Sequence, residues 1–253
     1  MLDQDTVQEL ADRAFGRWAM AVPSERWLST AGIEHQPTVD FLRAVGVPVQ
    51  ARIYDDGTFL SGPATTFADF LAEAELDAQD APDEKFVDAY GSFIDFGYSA
   101  NCETVYLDPR TGHIYDFINY QDAPRLYYSS VSHLVYFAAY WEIHGKLDGV
   151  WLDDVDEEAE DLAFDAADAI GQHFTVVDPA ANVRDDDEQD SLWESIASDG
   201  FAAGLYVDWE WSDSAVEYFH QRGINPLTKT PRHELENPAA NPWAADDERS
   251  ELG

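Results

Sequence analysis

Residues 104–115, Thr104-Val105-Tyr106-Leu107-Asp108-Pro109-Arg110-Thr111-Gly112-His113-Ile114-Tyr115, read as a strand, a tight turn and a second strand. Aromatic and β-branched residues dominate both ends, and such residues fit a pleated, half-buried surface. Between them Pro109 fixes φ and Gly112 relieves it, so the chain reverses on itself. Upstream, Phe86 to Tyr98 is another strand-like run, and downstream the second strand extends over His113 to Asn119. Three such neighbours predict an antiparallel meander. A period of two places Tyr115 and Phe117 on one face and Asp116 on the other. From Ser130 to Ile143 the pattern becomes helical, with Val131, Leu134, Val135, Phe137, Ala138 and Trp141 available to cover the sheet.

Further out, Val49 to Leu60 predicts a hairpin around Asp55-Asp56-Gly57. Thr6 to Met20 predicts a helix, because Val7, Leu10, Ala11, Ala14, Phe15 and Trp18 recur at three-and-four spacing. Pro23 and Ser24 open a connection, and a second helix over Thr38 to Val45 stops at Gly46 and Pro48. Phe67 to Leu76 reads as a short acidic helix or covering loop, and Asp153 to Ile170 as a very acidic helix. Gly204 to Trp211 suits a late strand and Ser214 to Gln221 a last helix. The expected class is α+β, a single antiparallel meander sheet with flanking helices. Residues 1–30 are expected to be an N-terminal helical extension, 31–230 the domain, and 231–253 a flexible acidic tail.

Composition narrows the function. Fourteen Lys and Arg stand against 51 Asp and Glu, a net charge of −37, and only Lys85, Lys146 and Lys229 are lysines. Self-repulsion of that size opposes compaction unless salt screens it, which near 1 M it does beyond about 3 Å. Aromatic residues make up 13% of the chain, too many for an acidic disordered polymer, so the excess reads as adaptation to concentrated salt. Such a surface lacks the basic footprint that binds nucleic acid. No apolar run reaches about 18 residues, so no membrane span is expected. The acidic start MLDQDTVQEL is unlike a secretory signal, and the lone Cys102 suits a reducing cytoplasm.

Several short motifs, in order, resemble a known family. They are Pro37 with Phe41-Leu42 and Gly46-Val47-Pro48, then Gly97-Tyr98, Val105-Tyr106-Leu107-Asp108 and Thr111-Gly112-His113-Ile114-Tyr115. Tyr128-Ser129-Ser130-Val131 with Leu134 and Phe137, and Val177-Asp178-Pro179-Ala180 with Trp193 and Ile196, complete the set. Together they resemble the SUKH superfamily, specifically its SUKH-four immunity clade, over roughly residues 37 to 200. The chain departs from that pattern in its long first helix, in Ser129-Ser130 where Asn-Ser is more usual, and in everything after about Phe201. The resemblance implies a compact α+β domain whose cleft binds another protein. Many members look like antidotes to toxins deployed between competing cells, and others are cytoplasmic scaffolds or regulators without a toxin partner. No catalytic motif comes with the resemblance.

The titratable residues support no reaction. His133 and His144 are eleven apart, about three turns of one helix, too far to share a metal ion. Cys102 with His113 and Asp116 has no nucleophile context, and Ser129-Ser130 fits a helix N-cap better than a serine elbow. No phosphate-binding glycine loop occurs, so no cofactor or metal is expected, and an uncharacterised hydrolase is the weakest reading. The aromatic stretch is the better clue. A loop from Tyr120 to Tyr128 beside Tyr115 and Phe117 is expected to line a recognition cleft, since Tyr and Arg are favoured at binding hot spots. The expected partner-binding residues are Trp18, Tyr115, Asp116, Arg125, Tyr127 and Tyr128, and the expected partner is a protein.

Overall fold

The computed structural model describes residues 2–51, 53–55, 63–74, 81–99, 104–117, 123–144, 169–181 and 211–226. Asp3 starts helix α1 (Gln4–Ala14), its carboxylate accepting the Thr6 N–H at 3.0 Å and the Thr6 hydroxyl at 2.7 Å. The expected helix to Met20 ends early. Gly16 takes φ +72°, Arg17–Ala19 form a single 3₁₀ turn, and Met20–Ala21 become strand β1. Arg17 donates instead to the carbonyls of Ala44 and Val45, 2.6 and 3.0 Å away, at the end of helix α3 (Gln36–Ala44). Those carbonyls have no partner within their own helix, so the guanidinium serves as a C-cap. Between α1 and α3 lies α2 (Glu25–Ala31), where sequence reading saw only a connection. Ser24 caps it, accepting the Trp27 N–H at 3.1 Å.

β1 pairs antiparallel with β2 (Val47–Pro48), forming a small sheet of its own. The main sheet is a six-stranded antiparallel meander in chain order. It comprises β3 (Gln50–Ala51), β4 (Tyr54–Asp55), β5 (Ile94–Ser99), β6 (Thr104–Leu107), β7 (Ile114–Asp116) and β8 (Arg125–Tyr128). The α+β meander is therefore present, and among the described residues it is the larger of two sheets. The early hairpin pairs Gln50 with Asp55 and Ala51 with Tyr54, so it turns before Asp56-Gly57, which lie outside the described residues.

Helix α4 (Phe67–Glu73) opens on a reciprocal capping box between Thr66 and Asp69. The run Phe86 to Tyr98 is not one strand. Its first half is helix α5 (Glu84–Tyr90), because Asp83 captures the Phe86 N–H at 2.8 Å and sets the helix going. The strand after His113 ends at Asp116, short of Asn119. Cys102, most of the acidic helix expected over 153–170, the strand expected over 204–211 apart from Trp211, and the tail lie outside the described residues.

The β6–β7 turn is pinned from two sides. Asp108 is buried and accepts the Arg110 N–H at 2.9 Å and the Thr111 hydroxyl at 2.8 Å. The Pro109 carbonyl accepts from the N–H groups of Glu34 and His35, docking the turn on the start of α3. Gly112 has φ +74°, and a Cβ there would lie 2.3 Å from both His35 Nδ1 and Thr38 Oγ1. Only glycine fits both demands.

Helix α6 (Val131–His144) lies over one face of the sheet, hereafter the near face. Leu134 and Phe137 are fully buried with Val105, Leu107 and Ile114. α6 is apolar nearly all round because α1 packs on it as well, through Val7, Ala11 and Ala14. Residues 169–177 form helix α7, and Asp213–Gln221 form α8. The far face carries a separate cluster of Phe67, Phe86, Phe93, Tyr106 and Phe117.

Candidate functional site

Alternation along β6 and β7 assigns each side chain to a face. Val105, Leu107 and Ile114 enter the near core, whereas Tyr106, Tyr115 and Phe117 join the far cluster. Tyr115 is half-buried at the rim of that cluster, with its ring 5.4 Å from Phe93 and its hydroxyl 3.4 Å from His113 Nδ1. Tyr90, also half-buried, closes on Phe93 at 5.5 Å and on Phe86 at 4.7 Å. Across the strand pair Tyr115 faces Leu126, itself partly exposed on the edge strand β8. Burial, then Asp108, then Tyr90 push the Tyr115 phenol above its ordinary range. At neutral pH it keeps its proton and can donate. The rim thus offers apolar ring surface with a hydroxyl and an imidazole at its edge, the mixture that protein interfaces favour.

The six residues expected to bind a partner do not form one surface. Asp116 is fully buried on the near face and ion-paired to Arg125 at 2.5 Å. Tyr127 and Tyr128 are also buried in the near core, their rings meeting edge-on at 4.7 Å. Simple alternation would have sent one of them outward. The register steps from Ile114↔Tyr128 to Tyr115↔Leu126, so β8 bulges at Tyr127 and both tyrosines turn inward. Burial holds the Tyr128 phenol well above its ordinary range. Of the expected cleft loop, Arg125–Tyr128 is strand and residues 120–122 lie outside the described residues. Trp18 is half-buried beneath Trp211 and Phe219, far along the chain from the other five.

Sequence reading missed a polar knot at the start of α6. Ser130 Oγ accepts the His133 N–H at 3.4 Å, the N-cap contact expected of it, and also meets His133 Nδ1 at 2.8 Å. Asp178, buried at the end of α7, accepts the Ser129 N–H at 2.8 Å and the Ser129 hydroxyl at 2.5 Å. His133 Nδ1 lies 4.0 Å from Asp178, while the Leu2 N–H donates to Ser132. Burial lowers the imidazole's proton affinity, against the pull of Asp178. A serine relay needs hydroxyl and carboxylate on opposite ring nitrogens. Here both approach Nδ1, and Ser130, His133 and Asp178 are buried, so the knot fastens α7 and the N-terminus to α6. Tyr128-Ser129-Ser130 and Val177-Asp178 are the signal that could have found it, since each supplies half of the contact.

His144, at the far end of α6, lies with its ring 4.2 Å from that of Tyr140, tilted by 37°. Among the described residues no three His, Cys, Asp or Glu side chains are grouped to hold a metal ion, and no helix is long and apolar enough to cross a membrane. A depression of about 460 Å³ on the outer side of α1 is lined by Asp5, Gln8, Glu9, Asp12 and Arg13, apart from the aromatic rim.

A meander sheet with one face under a long helix and an aromatic rim on the other defines a small α+β domain. Residues 7–199 match the model of the SUKH-4 immunity protein family, and the chain belongs to that family. No curated protein and no solved structure matched the chain.

Proposed function

We propose that this chain is an antidote that binds a toxin domain stoichiometrically and blocks it without turnover. Membership of the SUKH-4 immunity protein family carries the reading. The half-buried rim of Tyr115, Tyr90, His113 and Leu126 supports it with a surface of suitable chemistry. The net charge of −37 is read as adaptation of an intracellular protein to concentrated salt. Long-range attraction is then screened, so affinity rests on shape and ring contacts.

The test captures partners with the tagged chain from its native lysate at about 2 M salt, a level at which charges are screened within a few Å. Each captured domain is then expressed alone and together with the chain. A captured domain should stop growth by itself, and growth should return on co-expression. Tyr115→Ala should reduce capture at least tenfold while the melting temperature stays within a few degrees. Capture only of harmless cellular proteins would favour the alternative, a scaffold or regulator of the same fold. Undiminished capture by Tyr115→Ala would move the interface off the rim.

A further inference from the structure

Asp and Glu make up 51 of the 253 residues, and most of the described helices show carboxylates to solvent. Asp5 of α1, Glu25 of α2, Asp40 of α3, Asp69 of α4, Glu84 of α5 and Asp213 of α8 are all exposed. Helices α6 and α7 show none. The one acid of α6, Glu142, is buried, and residues 169–177 contain no Asp or Glu.

The outer sides of these two helices form one face. Tyr136, Tyr140 and His144 recur one turn apart along α6, and Gln172, His173 and Val176 share a side of α7, each at least partly exposed. The Tyr136 hydroxyl meets His173 Nε2 at 2.9 Å, and the Tyr140 ring stacks on that of His173 at 4.2 Å. Beside them Val176 is 79% exposed, in a chain that buries most of its large apolar side chains. Burial holds both imidazoles below their ordinary range, Arg13 adding to the effect at His144, so both rings are neutral at pH 7.

Tyrosine enriched and acids depleted is the pattern that separates the centre of a protein interface from ordinary surface. We propose that this face docks on a second copy of the chain, α6 and α7 of one copy meeting the same helices of the other about a twofold axis. Burying an unpaired carboxylate is costly, so two chains of net charge −37 meet best where neither presents one. A second copy brings the same acid-free face, and the contact then covers the tyrosine rings and Val176 without burying like charge. The face spans only about 12 Å along α6 from Tyr136 to His144, so the dimer is of the weak, concentration-dependent kind. The inference stands on these two helices and does not require the antidote reading.

The test is sedimentation equilibrium of the purified intact chain at about 2 M salt, where long-range repulsion is screened. The average mass should climb from one chain toward two as concentration rises through the micromolar range. Val176→Asp should weaken the association at least tenfold, because the contact would bury the new carboxylate whatever the salt. Gln172→Glu, one turn away, should act in the same direction. Ala89→Asp adds the same charge on α5, over the opposite face of the sheet, and should leave the association unchanged. A parent chain that stays a monomer throughout would overturn the proposal, and so would a dimer that Val176→Asp leaves intact. If the parent is a monomer and Val176→Asp also loses the partner captured from lysate, the face belongs to that partner instead.

Discussion

The two faces of the main sheet are covered in different ways. The near face lies under the fourteen-residue α6, with α1 behind it, and its buried acid Asp116 meets the Arg125 guanidinium. The far face lies under two helices of seven residues each, α4 and α5, and its packing is almost wholly ring on ring. Phe67 has aromatic neighbours within 6.3 Å at Phe70, Phe86, Tyr106 and Phe117. A long helix can seal a sheet face against water, whereas two short ones leave a rim. The rim is where Tyr90 and Tyr115 stay half-exposed, so the thinner cover coincides with the surface proposed for a partner.

The strongest way to break that contrast is to cut one ring from each face. Phe137 and Phe67 are equally buried, so the loss of transfer energy is similar and the cavity term decides. Phe137 stacks on Phe174 at 4.1 Å and sits between the sheet and α7, where collapse is hindered. Phe137→Ala should cost about 4 kcal/mol and Phe67→Ala about 3 kcal/mol, because short helices can settle into the gap. Denaturant melts that rank Phe67→Ala as the costlier change would reverse the assignment of the main core.

The turn that holds the near-side helix α3 to the sheet gives a smaller effect. Gly112→Ala must strain φ and push on His35 and Thr38, at a cost of about 2 kcal/mol. Gly32→Ala is the control, because Gly32 has φ +68° but nothing within 4 Å of the added carbon. It should cost about 1 kcal/mol, so equal losses at the two glycines would mean that the turn does not bear on α3.

The meander, the α6 cover and the split of Tyr115 from Asp116 were legible because each follows from a period of two or of three to four. Three things were not. Short helices such as Glu25–Ala31 and Glu84–Tyr90 carry too few residues to show a period, and their cap residues, Ser24 and Asp83, were the available clue. Tyr127 and Tyr128, expected in a loop lining a recognition cleft, lie in strand β8, where the bulge at Tyr127 turns both rings inward. The knot of Ser129, Ser130, His133 and Asp178 joins residues up to 49 positions apart, which local pattern cannot reach.

Asp95 offers the finest probe of the two faces. It pairs with Tyr106 across β5 and β6 and so sits in the far layer. Where near-face Asp116 meets a guanidinium, Asp95 accepts the Gly97 N–H at 3.2 Å. Burial raises its proton affinity from 3.8 to about 6, the Gly97 bond opposing. The folded chain therefore holds this proton more tightly than the unfolded one. Below pH 3.8 both states are protonated and nothing is lost. As pH rises from there toward 6 the unfolded chain releases its proton first and stability falls, and above 6 the full loss is in place. Asn keeps the acceptor for Gly97 but carries no charge. Asp95→Asn should therefore match the parent near pH 4 and exceed it by about 2 kcal/mol at pH 7. The measurement is the difference in unfolding free energy between the two chains across that range at fixed salt. A difference that does not change with pH would show the carboxylate to be solvated, and the far face to be more open than its ring packing implies.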